Sequence, residues 1–232
     1  MTATSSAFAP SKAVPASGLA VDLHRVTRVF DGIPAITGIS LSIPVGEIVL
    51  LYGHNGSGKS TLLRVIATAL SPTFGAGSVL GLDLQRDRAR IRAHTDLLGH
   101  QTRLYADLTA TENLRFACGL YGLSTARVGE CLDRVGLSEA GGVRVASFSQ
   151  GMRQRLALAR CLLRAPAVVL LDEPYAGLDT DARHIVDDLL AGARHHGTTV
   201  LLASHEPPPS ELVSSMVHLE NGRLVDTTGG LS

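Results

Sequence analysis

Between positions 53 and 61 the chain reads GHNGSGKST. Gly53, Gly56 and Gly58 allow backbone angles closed to other residues. Successive N–H groups from Gly53 through His54, Asn55, Gly56, Ser57 and Gly58 can therefore point into one concavity and hold a phosphate. Lys59 follows at once, then Ser60 and Thr61. The pattern G-x-x-x-x-G-K-[ST] puts the Lys59 ammonium within reach of β- and γ-phosphates and the Ser60 hydroxyl where it can ligate magnesium. Farther on, the apolar run Val168 to Leu171 ends in Asp172 and Glu173. An aspartate in that setting holds Mg²⁺ directly or through water. Glu173, the next residue of an extended chain, points elsewhere, toward an attacking water, and reads as a general base. His205 ends another apolar run, where an imidazole N–H would reach a γ-phosphate and the loop carrying Glu173.

These groups need elements to hold them. Ile48 to Tyr52 is a short β-branched, apolar run with the character of a strand buried on both faces. After the glycines Leu62, Leu63, Ile66 and Leu70 recur at helical spacing, so a helix begins with its positive end at the phosphate concavity. Before them, Leu19 to Val29 and Ile39 to Ile43 read as two antiparallel strands, with Phe30, Asp31 and Gly32 as a turn. Gly77 to Leu84 reads as strand and turn, Arg86 to Arg92 as a solvent-facing helix, and Thr95 to Gly99 as a strand closing at His100 and Gln101. The text from Thr109 to Val135 is helical, with Asn113, Gly122 and Ser124 as punctuation. Ser149 opens a long helix whose Met152, Leu156, Ala159 and Leu163 share one side, and Pro166 stops it. A helix from Asp181 to His195, a strand from Thr198 to Ala203 and a final pair, Ser215 to Leu219 and Arg223 to Asp226, complete the order. Alternating strands and helices predict an α/β fold with a mostly parallel sheet. Ligands of such sheets sit beyond the carboxyl ends of the strands, so Gly53, Gln101, Asp172 with Glu173, and His205 should converge.

Composition narrows the function classes. Lys and Arg number 21 against 21 Asp and Glu, so no global field draws the chain to nucleic acid or an anionic bilayer. The longest apolar-looking stretch, Leu156 to Leu171, carries Arg160 and Arg164 and cannot span a membrane. Cys118, Cys131 and Cys161 are odd in number and far apart, which suggests neither a disulfide framework nor a zinc site but small core residues in a reducing compartment. Residues 1–18, rich in Ala, Ser and Pro, read as a flexible tail rather than a secretory signal.

The chain resembles the nucleotide-binding subunit of an ABC transporter from about Leu19 to its end. The phosphate loop runs from Gly53 to Thr61, and Gln101 matches the Q-loop. FSQGM, Phe148 to Met152, matches the LSGGQ signature; VVLLDE, Val168 to Glu173, matches the acidic strand end; AGLD, Ala176 to Asp179, matches the D-loop; His205 matches the switch histidine. The resemblance implies a P-loop NTPase, ABC-type domain over residues 19–232: a mostly parallel core, an antiparallel β subdomain and a helical subdomain over about 103–165. It implies ATP and Mg²⁺ as ligands, with Ser60, Gln101 and Asp172 around the metal and Glu173, His205 and Gln101 as catalytic groups. Phe30 falls where the family stacks an aromatic ring on adenine. Phe148, Gln150 and Met152 depart from the signature, whereas Ser149 and Gly151, which the family aims at a γ-phosphate, remain; His54 stands where Pro is common.

The resemblance further implies that Ser149, Gln150, Gly151 and Asp179 complete the site of a second subunit in a two-fold dimer, homodimeric or paired. Gln101 with the segment Thr102 to Thr111 would pass its motion to an integral membrane partner, which places the chain at the cytoplasmic face of the cell membrane. The segments Leu97 to Phe116 and Ser149 to Leu163 are most similar to the ATPases of the bacterial haem exporter used in cytochrome c maturation; exporters of lipids, polysaccharides or drugs share much of that wording. A soluble, non-transport ABC ATPase would normally carry tandem cassettes, a coiled-coil insertion or a basic surface. A P-loop kinase has no use for Ser149, Asp179 and His205.

Overall fold

The computed structural model describes residues 18–99, 102–205, 208–229 and 231. Of the tail expected over 1–18, only Gly18 lies within them, and His100 and Gln101 lie outside. In chain order the strands are β1 (Leu19–Phe30), β2 (Ile33–Pro44), β3 (Ile48–Tyr52), β4 (Phe74–Val79), β5 (Leu82–Asp83), β6 (Thr95–Leu98), β7 (Val168–Asp172), β8 (Thr199–Ala203), β9 (Ser215–Glu220) and β10 (Arg223–Thr228). The helices are α1 (Lys59–Ile66), α2 (Arg88–His94), α3 (Ala110–Tyr121), α4 (Val128–Arg134), α5 (Gln150–Arg164) and α6 (Thr180–His196).

The strands form two sheets. One is antiparallel, in the order β2-β1-β4-β5; the other has six strands in the order β10-β9-β3-β8-β7-β6, parallel from β9 to β6 with β10 antiparallel at its edge. Strand β3 is buried on both faces, as its unbroken apolar text requires. Ile48 and Leu50 pack with α3, α4, α5 and α6, while Val49 and Leu51 pack with α1 and the antiparallel sheet. Two cores therefore meet at this strand, and its carboxyl end is fixed from both sides.

Two local readings change, the start of β2 and the setting of the α2 arginines. β2 starts at Ile33, six residues earlier than the expected Ile39, because Asp31 and Gly32, with φ of 47° and 83°, make a tight two-residue turn that pairs Phe30 directly with Ile33. The helical stretch after Thr109 divides at the expected Gly122 into α3 and α4. Thr109 and Glu112 form a capping box at the start of α3, and Gly122 in the left-handed region ends it. The Arg86 to Arg92 run is not simply a solvated face: Arg88 donates to the Ser71 hydroxyl and the Thr68 carbonyl at 2.9 Å each, and Arg92 donates to Thr68 Oγ1 at 3.1 Å. The three cysteines are buried and free, and burial pushes each thiol up, Cys161 well above its ordinary range.

Helix α5 is tied to the sheet edge by a buried ion pair. Arg164 and Asp96 meet at 2.9 Å with side chains only 6% and 9% exposed, and Arg164 also donates to the Arg92 carbonyl and lies over the Tyr121 ring. Removing the cation strands a buried carboxylate, so Arg164→Met should cost about 3–5 kcal/mol in denaturant unfolding. Asp96→Asn should cost less, since Arg164 keeps its carbonyl and ring.

Candidate functional site

The loop between β3 and α1 is held by what surrounds it. Gly53 has φ of 145°, and a Cβ there would stand 2.0 Å from the Leu219 carbonyl oxygen of β9. Gly58 has φ of 103°, and a Cβ there would meet the Ala35 carbonyl of β2 at 2.7 Å. The turn between β9 and β10 closes the cradle: Gly222 donates from its N–H to the Ser57 carbonyl at 3.1 Å and accepts from Thr37 N–H at 2.7 Å. The loop is thus wedged between both sheets. Lys59, 6% exposed, donates to the carbonyls of Gly53 at 2.7 Å and His54 at 3.2 Å, so its ammonium lies inside the loop's curve. His54 Nδ1 donates to the carbonyl of its neighbour Asn55 at 2.7 Å and leaves the glycine positions undisturbed.

The neighbouring strands deliver the acids. Asp172 ends β7 in register with Ala203 of β8, itself in register with Leu51 of β3. Ser60 Oγ donates to Asp172 Oδ1 at 2.8 Å. A hydroxyl and a carboxylate oxygen brought together in this way are hard donors of the kind Mg²⁺ takes along with water and phosphate oxygens, so these residues fit that ion. Glu173 diverges from Asp172 for a different reason than strand alternation. The strand has ended, and Glu173 takes a left-handed φ of 54° while its N–H donates to the Ala203 carbonyl at 2.8 Å. A non-glycine residue in that region is strained, and such strain gathers at functional sites.

His205 joins the acid to the loop. Its backbone N–H donates to Glu173 Oε2 at 3.2 Å, and its Nε2 lies 3.3 Å from Glu173 Oε1 and 2.5 Å from Asn55 Oδ1. Contacts from Ser60 to Asp172 and from Asn55 through His205 to Glu173 thus form a network that joins the phosphate loop to both acids. Ser57 is fully buried with its Oγ unpaired, and Thr61 is half-buried in the first turn of α1. Among the described residues, Phe30, Ser149, Gly151 and Asp179 make no hydrogen bond to this network, whereas Gln150 shares a cleft with Glu173. Ser149 caps α5, its Oγ accepting from Met152 N–H at 3.2 Å, and Asp179 caps α6, accepting from Ala182 N–H at 2.8 Å. A side chain at Gly151 would stand 2.8 Å from the Gly177 carbonyl, so that glycine also serves close packing within the chain. Gln150, Arg153, Gln154, Glu173 and Ala176 line a cleft of about 430 Å³ with residues 102–104. Phe30 stands at the tip of the β1–β2 hairpin, 39% exposed and outside the core.

Compared with known families, residues 36–176 match the model described as ABC transporter. The chain belongs to the ABC transporter family. It is one of that family's ATP-binding subunits. NatA, an ABC transporter ATP-binding protein of Bacillus subtilis, is 35% identical over 199 residues, covering 83% of this chain and 81% of NatA. The daunorubicin/doxorubicin resistance ATP-binding protein DrrA of Streptomyces peucetius is 34% identical over 229 residues, covering 96% of this chain and 67% of DrrA. The methionine import ATP-binding protein MetN of Corynebacterium diphtheriae is 34% identical over 224 residues, covering 90% of this chain and 66% of MetN. Among solved structures, a dimeric ATP-binding cassette in a post-hydrolysis state with ADP and Pi superposes with a TM-score of 0.82 at 26% identity, covering 90% of this chain and 98% of that one. No helix among the described residues is long and apolar enough to cross a membrane.

The Asn221–Gly222 turn carries a role that the sequence does not show. An Asn-Gly pair between two strands is a strong hairpin signal, but nothing local announces that the hairpin will buttress a loop more than 160 positions earlier. Gly53→Ala, which meets backbone on two counts, should abolish a stable loop and with it nucleotide binding. Gly56→Ala, at φ of 81° but with open space around it, should cost only about 1–2 kcal/mol in thermal or denaturant unfolding and leave the chain folded.

Proposed function

We propose that this chain is the ATP-hydrolysing subunit of an ABC exporter, acting at the cytoplasmic face of the cell membrane with a separate integral membrane subunit. The reading is carried by one observation: the contact network running from the phosphate loop through Asp172 and Glu173 to His205. The N–H groups of Gly53 to Gly58 and the Lys59 ammonium cradle the β- and γ-phosphates, assisted by Thr61 at the start of α1. Mg²⁺ bound at Ser60, Asp172 and Gln101 would supply charge neutralisation to the leaving phosphate oxygens. Glu173 takes the proton of the attacking water, and the strained backbone at that residue fixes its carboxylate apart from that of Asp172. His205 holds Glu173 in place and reaches the γ-phosphate. Phe30, an exposed aromatic surface at the end of β1, stacks on the adenine ring.

Ser149, Gln150, Gly151 and Asp179 complete the site of a second cassette across a two-fold axis. The positive end of α5, opened by Ser149, supports this because it lies outside the chain's own contact network and is suited to an anion. A cleft of about 470 Å³, lined by Arg103, Leu104, Tyr105, Phe116, Leu120 and Tyr121 among others, supports docking of the membrane subunit next to the segment that follows Gln101. Exposed Tyr105, Phe116 and Leu120 give that cleft an apolar wall.

For cargo we propose haem, on the likeness of Leu97 to Phe116 and Ser149 to Leu163 to the haem-exporter ATPases. The match to DrrA favours a second reading, drug export. Pull-down of the membrane subunit, followed by loss of c-type cytochromes in a deletion strain, tests the first; drug sensitivity with intact cytochromes would select the second. Glu173→Gln should keep ATP affinity, trap a closed dimer and reduce turnover by at least about 100-fold; near-normal hydrolysis would remove Glu173 from the base role. Lys59→Ala should weaken ATP binding itself, as measured by titration calorimetry.

A further inference from the structure

The base platform has a back as well as a front. Arg28 and Phe30 are two residues apart on β1, so their side chains leave the same face of the strand. The Arg28 guanidinium carbon stands 4.5 Å from the centre of the Phe30 ring. The cation does not roam there. Arg28 Nη1 donates to the Ser71 carbonyl at 3.1 Å, and the hydroxyl of that same Ser71 is gripped by Arg88 at 2.9 Å. Arg28 Nε is buried without an oxygen or nitrogen acceptor, which leaves the ring as the electron-rich surface beside it. Phe30 itself remains 39% exposed. Its position relative to the loop is set by pairing: Phe30 faces Ile33 across the hairpin, and Ala35, about 7 Å farther along the strand, is in contact with Gly58.

We infer that Arg28 is a positioning and specificity-determining residue for the nucleotide base, clamping Phe30 from behind so that the free face of the ring is presented to a purine. The inference rests on the adenine-stacking role proposed for Phe30. Two effects follow from the geometry. The ring loses rotamer freedom before the base arrives, which lowers the ordering cost of binding. A guanidinium on one face also draws π density toward itself, leaving the outer face less negative and better matched to a large, electron-rich purine than to a pyrimidine.

The test is titration of the full-length chain with ATP, UTP and inorganic tripolyphosphate, for wild type, Arg28→Met, Arg28→Lys, Phe30→Leu and the Arg28→Met/Phe30→Leu double variant. Thermal unfolding without nucleotide confirms that each is folded. Arg28→Met, which keeps the apolar stem, should raise the Kd for ATP about 3- to 10-fold, narrow the ATP-to-UTP ratio and leave tripolyphosphate binding unchanged. Arg28→Lys should retain part of the preference, and in the Phe30→Leu background Arg28→Met should add no further loss. Unchanged ATP affinity in Arg28→Met, an equal loss for tripolyphosphate, or a full additional loss in the double variant would overturn the role of Arg28. Should Arg28→Met fail to fold, Arg28→Lys carries the same comparisons. Wild-type ATP affinity in Phe30→Leu would instead remove the stacking role itself, a result distinct from weak binding in Phe30→Leu with normal binding in Arg28→Met.

Discussion

The site depends on the register of three parallel strands. Leu51, Ala203 and Asp172 lie side by side across β3, β8 and β7, so the three chains leave the sheet at one level. Whatever follows each strand is then delivered to one place: the phosphate loop after β3, the acidic pair at the end of β7, and His205 after β8. A slip of one residue would turn each chain's side chains to the opposite face and send Asp172 away from Ser60. Register is guarded by burial on both faces. Val49 and Leu51 are locked into one core, Ile48 and Leu50 into the other, and any slip would have to exchange them.

Convergence at the strand ends would still leave a glycine-rich loop free to wander. Carbonyl oxygens prevent that. Leu219 O stands against Gly53 and Ala35 O against Gly58, while Ser57 O accepts from Gly222, so backbone from both sheets encloses the loop. Side chains crowd there too, Ser57 Oγ at Gly53 and Ile36 at Gly58, but the carbonyls are backbone, so trimming those side chains would not open the space. The N–H groups therefore keep the directions that an anion needs, and their organisation is met during folding rather than during binding.

Local chemistry was readable and tertiary direction was not. The phosphate loop, the acidic pair and the histidine each follow an apolar run, and strand-then-loop text is a short-range signal. Strand alternation also predicts the spread between Asp172 and Glu173, but the strand has ended there; the left-handed turn at Glu173 depends on its N–H reaching Ala203 of another strand. The arginines of α2 looked like a solvated run because their partners, Thr68 and Ser71, sit some twenty positions away past the end of α1. Pro34 and Gly38 interrupt the alternation and hide the first half of β2, although the turn at Asp31 and Gly32 already pairs Phe30 with Ile33.

Those inward arginines answer a problem that the layout creates. The antiparallel sheet, the end of α1, helix α2 and helix α5 approach one another through polar backbone that has left regular structure, and exposed carbonyls at such junctions must be paired. Arg28 serves Ser71, Arg88 serves Ser71 and Thr68, Arg92 serves Thr68, and Arg164 serves Arg92 before closing on Asp96. A planar cation with several donors can satisfy two such groups at once, which a lysine cannot do with the same fixed geometry. The chain's balanced charge thus conceals an internal division of labour: several arginines are committed to stitching elements together, and the acids that matter most are gathered at the ends of the parallel strands.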